Sequence, residues 1–159
     1  MQTTSIGLAK EYTTNVEQEM NLLLASFTVY YQNLRALHWN ISGAHFFQLH
    51  EKFELLYTRA AVEVDDIAER ILILEATPLH TLEDFINNSE ISSSKNVTDD
   101  QSAVKVIIEN LSKLLLTERK ILELANENMD DGTADLMTRL INDQEKDHWM
   151  MRAWLGKKV

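Results

Sequence analysis

Residues 77–98 read TPLHTLEDFINNSEISSSKNVT. They contain the chain's one proline and a run of serine and asparagine, and they separate two stretches with strong helical period. Inside the connection, Leu79, Leu82, Phe85 and Ile86 predict one short amphipathic helix. The fold depends on how this segment joins the helical stretch upstream to the one downstream.

Upstream, apolar residues recur at Phe46, Leu49, Phe53, Leu56, Ala60, Val64, Ile67, Ile71 and Leu74. This predicts a long helix ending before Thr77-Pro78, because the residue before proline resists helical geometry. Ser42-Gly43 separates it from an earlier helix, at about residues 5–39, which carries Val16, Met20, Leu23, Phe27, Tyr30, Leu34 and Leu37 on its apolar stripe. The link between them is short, so the two are antiparallel neighbours. Downstream, Thr98 and Gln101 resemble a capping box. The helix after them runs through Val104, Ile107, Leu111, Leu114, Ile121 and Ala125 to Asp130-Asp131-Gly132. Thr133 is then the expected cap of a last helix, through Met137, Ile141, Met151 and Leu155, which stops at Gly156. The sum is an all-α four-helix bundle, one domain over residues 1–159, with a short helix in a long crossover between its second and third long helices. A long crossover there is the ferritin-like topology, not simple up-and-down winding.

Composition narrows the function. The 159 residues are 45% hydrophobic, enough for one packed domain. There is no cysteine, which excludes disulfides, thiolate metal sites and cysteine nucleophiles. The first twenty residues lack a basic start followed by an apolar run, so no signal peptide is expected. No apolar stretch approaches the ~20 residues that span a bilayer, and the expected location is the cytoplasm. The sequons at Asn40, Asn96 and Asn110 are then coincidental. The formal net charge of −10 repels nucleic acid and anionic membranes at long range and attracts cations.

The second long helix carries the chemistry. At about 100° per residue, with His50 as zero, Glu54 lies near 40°, Asp65 near 60° and Glu69 near 100°. The four share one face. His50 and Asp65 are nevertheless about 22 Å apart along the axis, too far to bind one ion. A second copy of the helix, antiparallel across a two-fold axis, would bring His50 and Glu54 of one chain to Asp65 and Glu69 of the other and form two equal sites. His38, across the turn, could join the His50 half. Two imidazoles and three carboxylates suit iron, manganese or zinc. Acidic residues at helical spacing are also what a solvated face presents. His45 lies about 140° from His50 and is assigned to helix-start packing or solvent. Glu145-Lys146-Asp147-His148 has the Glu-x-x-His form of di-iron bundles, but it stands alone, and the apolar period puts His148 in the core.

His38-Trp39-Asn40, Gly43, Phe46, His50-Glu51, Asp65 and Ala68-Glu69-Arg70, with Asp131-Gly132-Thr133-Ala134-Asp135 and the Trp149 region, resemble the Dps family (DNA-binding protein from starved cells). The likeness spans nearly the whole chain. It implies a small ferritin, twelve copies forming a hollow shell. It implies a ferroxidase that oxidises iron(II), preferably with hydrogen peroxide, at sites between subunits and stores iron(III) as mineral, so protecting the cell against oxidative stress. By resemblance His38, His50 and Glu54 come from one subunit and Asp65 and Glu69 from its partner, around two iron ions, with Glu69 as a bridge. Trp39 either supplies an electron or only packs beside the site. Asp130, Asp131 and Asp135 match the region that lines the family's three-fold pores; the first two also suit a turn and a helix N-terminus.

Two departures stand out. Glu54 replaces the family's commoner aspartate and adds a methylene. The termini lack a lysine-rich tail: Lys10 stands near one end, Lys157 and Lys158 at the other. Twelve copies at −10 carry a formal −120, and phosphate neutralisation drives nonspecific DNA affinity, so weak or absent DNA binding is expected. The rival readings are an architectural DNA-compacting protein with secondary metal binding, and a carrier bundle that holds zinc without turnover.

Overall fold

The computed structural model describes residues 2–156; the lysines at 157 and 158 lie outside the described residues. Five helices account for nearly all of it: α1 Lys10–Asn40, α2 Phe46–Ile73, α3 Leu82–Asn88, α4 Asp100–Glu127 and α5 Asp131–Trp154. The all-α ferritin-like bundle expected from the sequence is the observed fold, with α3 as the short helix in the crossover.

Cross-contacts give the helix directions. Tyr12, near the start of α1, bonds Asp130 at the start of α5, and Ser42 N–H, just after α1, donates to the Thr98 carbonyl just before α4. His45, at the start of α2, meets Asp100 at the start of α4. So α1 and α4 run antiparallel while α2 and α4 run parallel. Long helices that follow one another in the chain and run parallel require it to return along the bundle, about 40 Å for a helix the length of α2. The segment 77–98 makes that return.

Polar side chains on α1 fix its path. Asn21 accepts from Leu79 N–H and donates to the Thr77 carbonyl. Ser26 accepts from Glu90 N–H. Buried Asn33 accepts from Ser94 N–H and donates to the Ser92 carbonyl and to Asn110. Loop amides that would otherwise be buried without partners are thereby satisfied. Ile91 anchors the segment in the core.

The core lies between the four long helices and is built from the stripes read in the sequence, including Phe27, Phe53, Ile67, Leu111 and Met137. Helix ends differ in detail from expectation. α4 is capped by Asp99, which accepts from Ser102 N–H, rather than by a Thr98–Gln101 box. α5 is capped by Asp130, and Thr133 is the N–H donor to it. Asp at an N-cap offers a charged acceptor to the helix's free amides, which decides both cases. α2 stops at Ile73, before the proline acts, because Glu75 turns left-handed at φ 63°. Gly43, at φ 105°, makes the tight turn between α1 and α2 that a side chain would strain.

Candidate metal centre

The end of α1 and the first turns of α2 face each other across that turn. His38 and His50 stack there, ring centroids 3.7 Å apart and planes within 14°. Their hydrogen bonds are reciprocal. Nδ1–H of His38 donates to the His50 carbonyl at 2.6 Å, and Nδ1–H of His50 donates to the His38 carbonyl at 2.7 Å. A carbonyl can only accept, so both Nδ1 atoms carry the proton and both Nε2 atoms keep a lone pair. This fixes the tautomer and orientation that a metal-binding imidazole needs. His38 is buried at 7% exposure, while His50 is partly exposed. Phe46 stacks on the outer face of His50.

Glu54 is one turn along α2, exposed, with Tyr57 Oη 3.4 Å from its Oε1. Asp65 and Glu69 are exposed further along the same helix. Among the described residues none of these three carboxylates makes a salt bridge within the chain. Nor does any group of three or more histidines and carboxylates among those residues converge on one metal position. The helix is continuous from Phe46 to Ile73, so the separation of about 22 Å estimated from its rise stands. The outer face bearing these ligands also exposes Phe47 (84%), Leu55 (62%) and Val62 (58%). Large apolar groups presented together to solvent mark a contact surface.

Trp39 is more than half exposed, with the Arg35 guanidinium over its ring at 4.8 Å. His45 faces away from the pair, as its angle requires. It sits 2.5 Å from Asp100 and edge-on to Trp154.

One expectation needs correction, and one pair of alternative readings is narrowed. His148 is not in the core stripe; it is half-buried beside Ser112, with Nε2 3.2 Å from the hydroxyl. Burial, then the Arg152 charge, lowers its pKa. Its neighbour Asp147 points inward instead, one residue around the helix. The alternatives concern Asp130. It is 2% exposed, and its two oxygens accept from Tyr12, Arg70 and Thr133. Burial alone would raise its pKa; the Thr133 and Tyr12 hydrogen bonds and the Arg70 charge outweigh that and hold it below the usual carboxylate range. A carboxylate so engaged fills the helix-terminus role, the alternative read for it in the sequence. Asp131 and Asp135 are exposed.

The sequence pattern did not reveal a buried polar cluster between the helices. Glu63 of α2, Glu118 of α4, and Gln144 and Asp147 of α5 are all nearly inaccessible. Arg59 bonds Asp147 and lies 3.4 Å from Glu63, and Gln144 donates to Glu118. Burial pushes Glu63 up to about 7, against the Arg59 charge. Burial pushes Glu118 up to about 8, against the Gln144 hydrogen bond. Each of these residues falls on an apolar stripe, and that position was the available signal.

Comparison with known proteins places this architecture. A ferritin-like domain model matches residues 17–158, and the chain is a ferritin-like protein. The "DNA protection during starvation protein" of Porphyromonas gingivalis is 37% identical over 95% of both chains. The crystal structure of a Dps protein from Vibrio cholerae O1, described as "a member of a broad superfamily of ferritin-like diiron-carboxylate proteins", superposes with a TM-score of 0.95 at 41% identity, over 98% of both chains. A Dps protein from Bacillus brevis superposes at 0.89 with 30% identity, over 98% of this chain and 99% of the other. The chain belongs to the Dps family. No helix among the described residues is long and apolar enough to cross a membrane.

Proposed function

We propose that the protein is a cytoplasmic ferroxidase and iron store that oxidises iron(II), with hydrogen peroxide as the preferred oxidant, at sites shared between two subunits of a homododecamer. The observation that carries this reading is the paired imidazoles: both Nδ1 atoms are committed to backbone carbonyls and both Nε2 atoms are free.

The rest of the site requires a second copy. Pair His50 with Glu69 and Glu54 with Asp65 on an antiparallel α2, and both pairings share one midpoint, between Arg59 and Ala60. One two-fold axis therefore satisfies both, and it buries Leu55 and Val62 against the partner. Iron(II) is the substrate, held by His38, His50 and Glu54 from one side and Asp65 and Glu69 from the other. The nitrogen and oxygen donors suit its borderline hardness, and the exposed carboxylates are unspent. The longer Glu54 reaches toward a second iron position. Asp131 and Asp135 are the candidate pore carboxylates that focus iron(II) inward. The described residues give no basic tail to offset the shell's charge, so DNA binding is weak or absent at physiological salt.

The test joins stoichiometry to oxidant choice. Iron(II) is loaded anaerobically, and peroxide or oxygen is added in separate runs while ferric absorbance and peroxide loss are followed. Faster ferric formation with peroxide is expected. No ferric product and no peroxide loss would leave a zinc-holding bundle. Retardation of plasmid by the assembled protein without added divalent cation would restore the DNA-compacting reading.

A further inference from the structure

The aromatic side chains beside the paired imidazoles form a continuous series. Tyr57 stands edge-on to His38 at 5.2 Å, and Tyr31 stands edge-on to Tyr57 at 6.2 Å. The Arg35 guanidinium then lies over Tyr31 at 5.3 Å and over Trp39 at 4.8 Å. The three oxidisable rings are not equivalent. Electron loss ahead of the proton leaves positive charge on a ring, and a guanidinium resting on that ring opposes it electrostatically. Arg35 rests on Tyr31 and Trp39 in this way; Tyr57 has no cation over its face among the described residues. A phenol also yields its electron more easily when its proton has an acceptor, and Tyr57 Oη is 3.4 Å from Glu54 Oε1. Tyr57 is the ring in contact with His38 as well. Trp39 lies three contacts further along the series and is more than half exposed.

We infer that Tyr57, rather than Trp39, is the electron donor to the site when peroxide meets a single iron(II) ion there. The inference rests on the ferroxidase reading above. Peroxide accepts two electrons, and two iron(II) ions supply both. When one iron(II) is present it supplies one and becomes iron(III), and Tyr57 supplies the other. The O–O bond breaks, Tyr57 loses an electron and its hydroxyl proton to become a neutral phenoxyl radical, and that proton with one from solvent completes two water molecules. No hydroxyl radical leaves the site.

The experiment loads the assembled protein anaerobically with one iron(II) per site, adds excess peroxide, freezes within milliseconds and records the electron paramagnetic resonance spectrum with ferric absorbance on the same samples. The expected result is a tyrosyl signal that narrows in protein grown on ring-deuterated tyrosine. It is lost in Tyr57→Phe and kept in Tyr31→Phe and Trp39→Phe. If Tyr57→Phe does not fold, the other two variants and the labelling still decide. A signal lost in Tyr31→Phe or Trp39→Phe, or one that fails to narrow, overturns the assignment. Ferric iron without any tyrosyl radical overturns this inference alone. Absence of ferric iron overturns the ferroxidase reading with it.

Discussion

α2 carries carboxylates on two faces, and they behave oppositely. Inward, Glu63 meets Glu118 and Asp147 in the core, with Arg59 and Gln144 as partners. Outward, Glu54, Asp65 and Glu69 are exposed and unpaired by any salt bridge among the described residues. Strong pKa perturbation is a common flag of function, and here it falls on the inward set. Perturbation of this kind reports burial, not purpose. On the proposed reading, a site divided between two subunits leaves each half solvated in the single chain, and its carboxylates are the solvated ones. The two sets separate activity from stability, and variants on each face probe that separation.

The most disruptive variant is Val62→Asp. It places a charge in the exposed apolar stripe around the proposed two-fold midpoint, where the same residue recurs across the axis. Loss of the large assembly by size-exclusion chromatography is expected, with loss of ferric formation and an unchanged helical spectrum. An intact assembly would remove the α2 face from the interface. Next is Glu69→Ala. Because even outer partners of metal ligands cost about 10- to 100-fold, ferric formation with peroxide should fall by about 100-fold. The melting temperature should barely move, because an exposed carboxylate without an ion pair contributes little to the fold.

On the inward face the effects reverse. Asp147→Ala leaves Arg59 without its closest carboxylate. Breaking a buried pair costs about 3–5 kcal/mol, and the partial exposure of Arg59 reduces this to about 2 kcal/mol. Differential scanning calorimetry should show that loss while ferric formation per assembled site persists. If ferric formation collapses instead, the core cluster belongs to the chemistry and the division between the two faces fails.

One face is more legible in the sequence than the other. His50, Glu54, Asp65 and Glu69 stand out because helical periodicity places them together, and the rise per residue shows that sharing one ion would take a second chain. The crossover is legible through its proline and serine-rich composition. The reciprocal imidazole bonds are not, because they depend on the turn that Gly43 permits. Glu63, Glu118 and Asp147 are hidden for a different reason. A carboxylate on an apolar stripe is ambiguous until its partners are known; Arg59 is one turn from Glu63, but the Asp147 that it bonds and the Gln144 that bonds Glu118 lie on a helix distant in sequence. The same limit puts His148 in the core in place of Asp147, a shift of one residue on α5. Asp130 leaves both a pore role and a helix-terminus role open in the sequence, since nothing there shows Tyr12 and Arg70 converging on it.

The smallest expected effect tests the inward face most closely. Glu118 Oε1 accepts from Gln144, while Glu118 Oε2 and Gln144 Oε1 are both buried without a partner. A proton on Oε2 would satisfy both at once, giving a two-way acid–amide pair. Its pKa, raised to about 8, agrees with a carboxyl kept neutral by burial. An unfolded glutamate titrates near about 4.3. The folded protein therefore holds a proton that the unfolded chain gives up. This contribution to stability is fully present below about 4.3 and is lost as pH rises through about 8. Glu63, raised to about 7, adds to the same slope. Glu118→Gln replaces the acid with an amide of the same shape that donates to Gln144 at every pH. The variant should come near the parent at pH 5 and gain on it steadily up to about pH 8, above which the parent must bury a charge or leave acceptors unpaired. Melting curves from pH 5 to 9 measure the difference. A difference that does not grow with pH would mean that Glu118 is already ionised in the folded core.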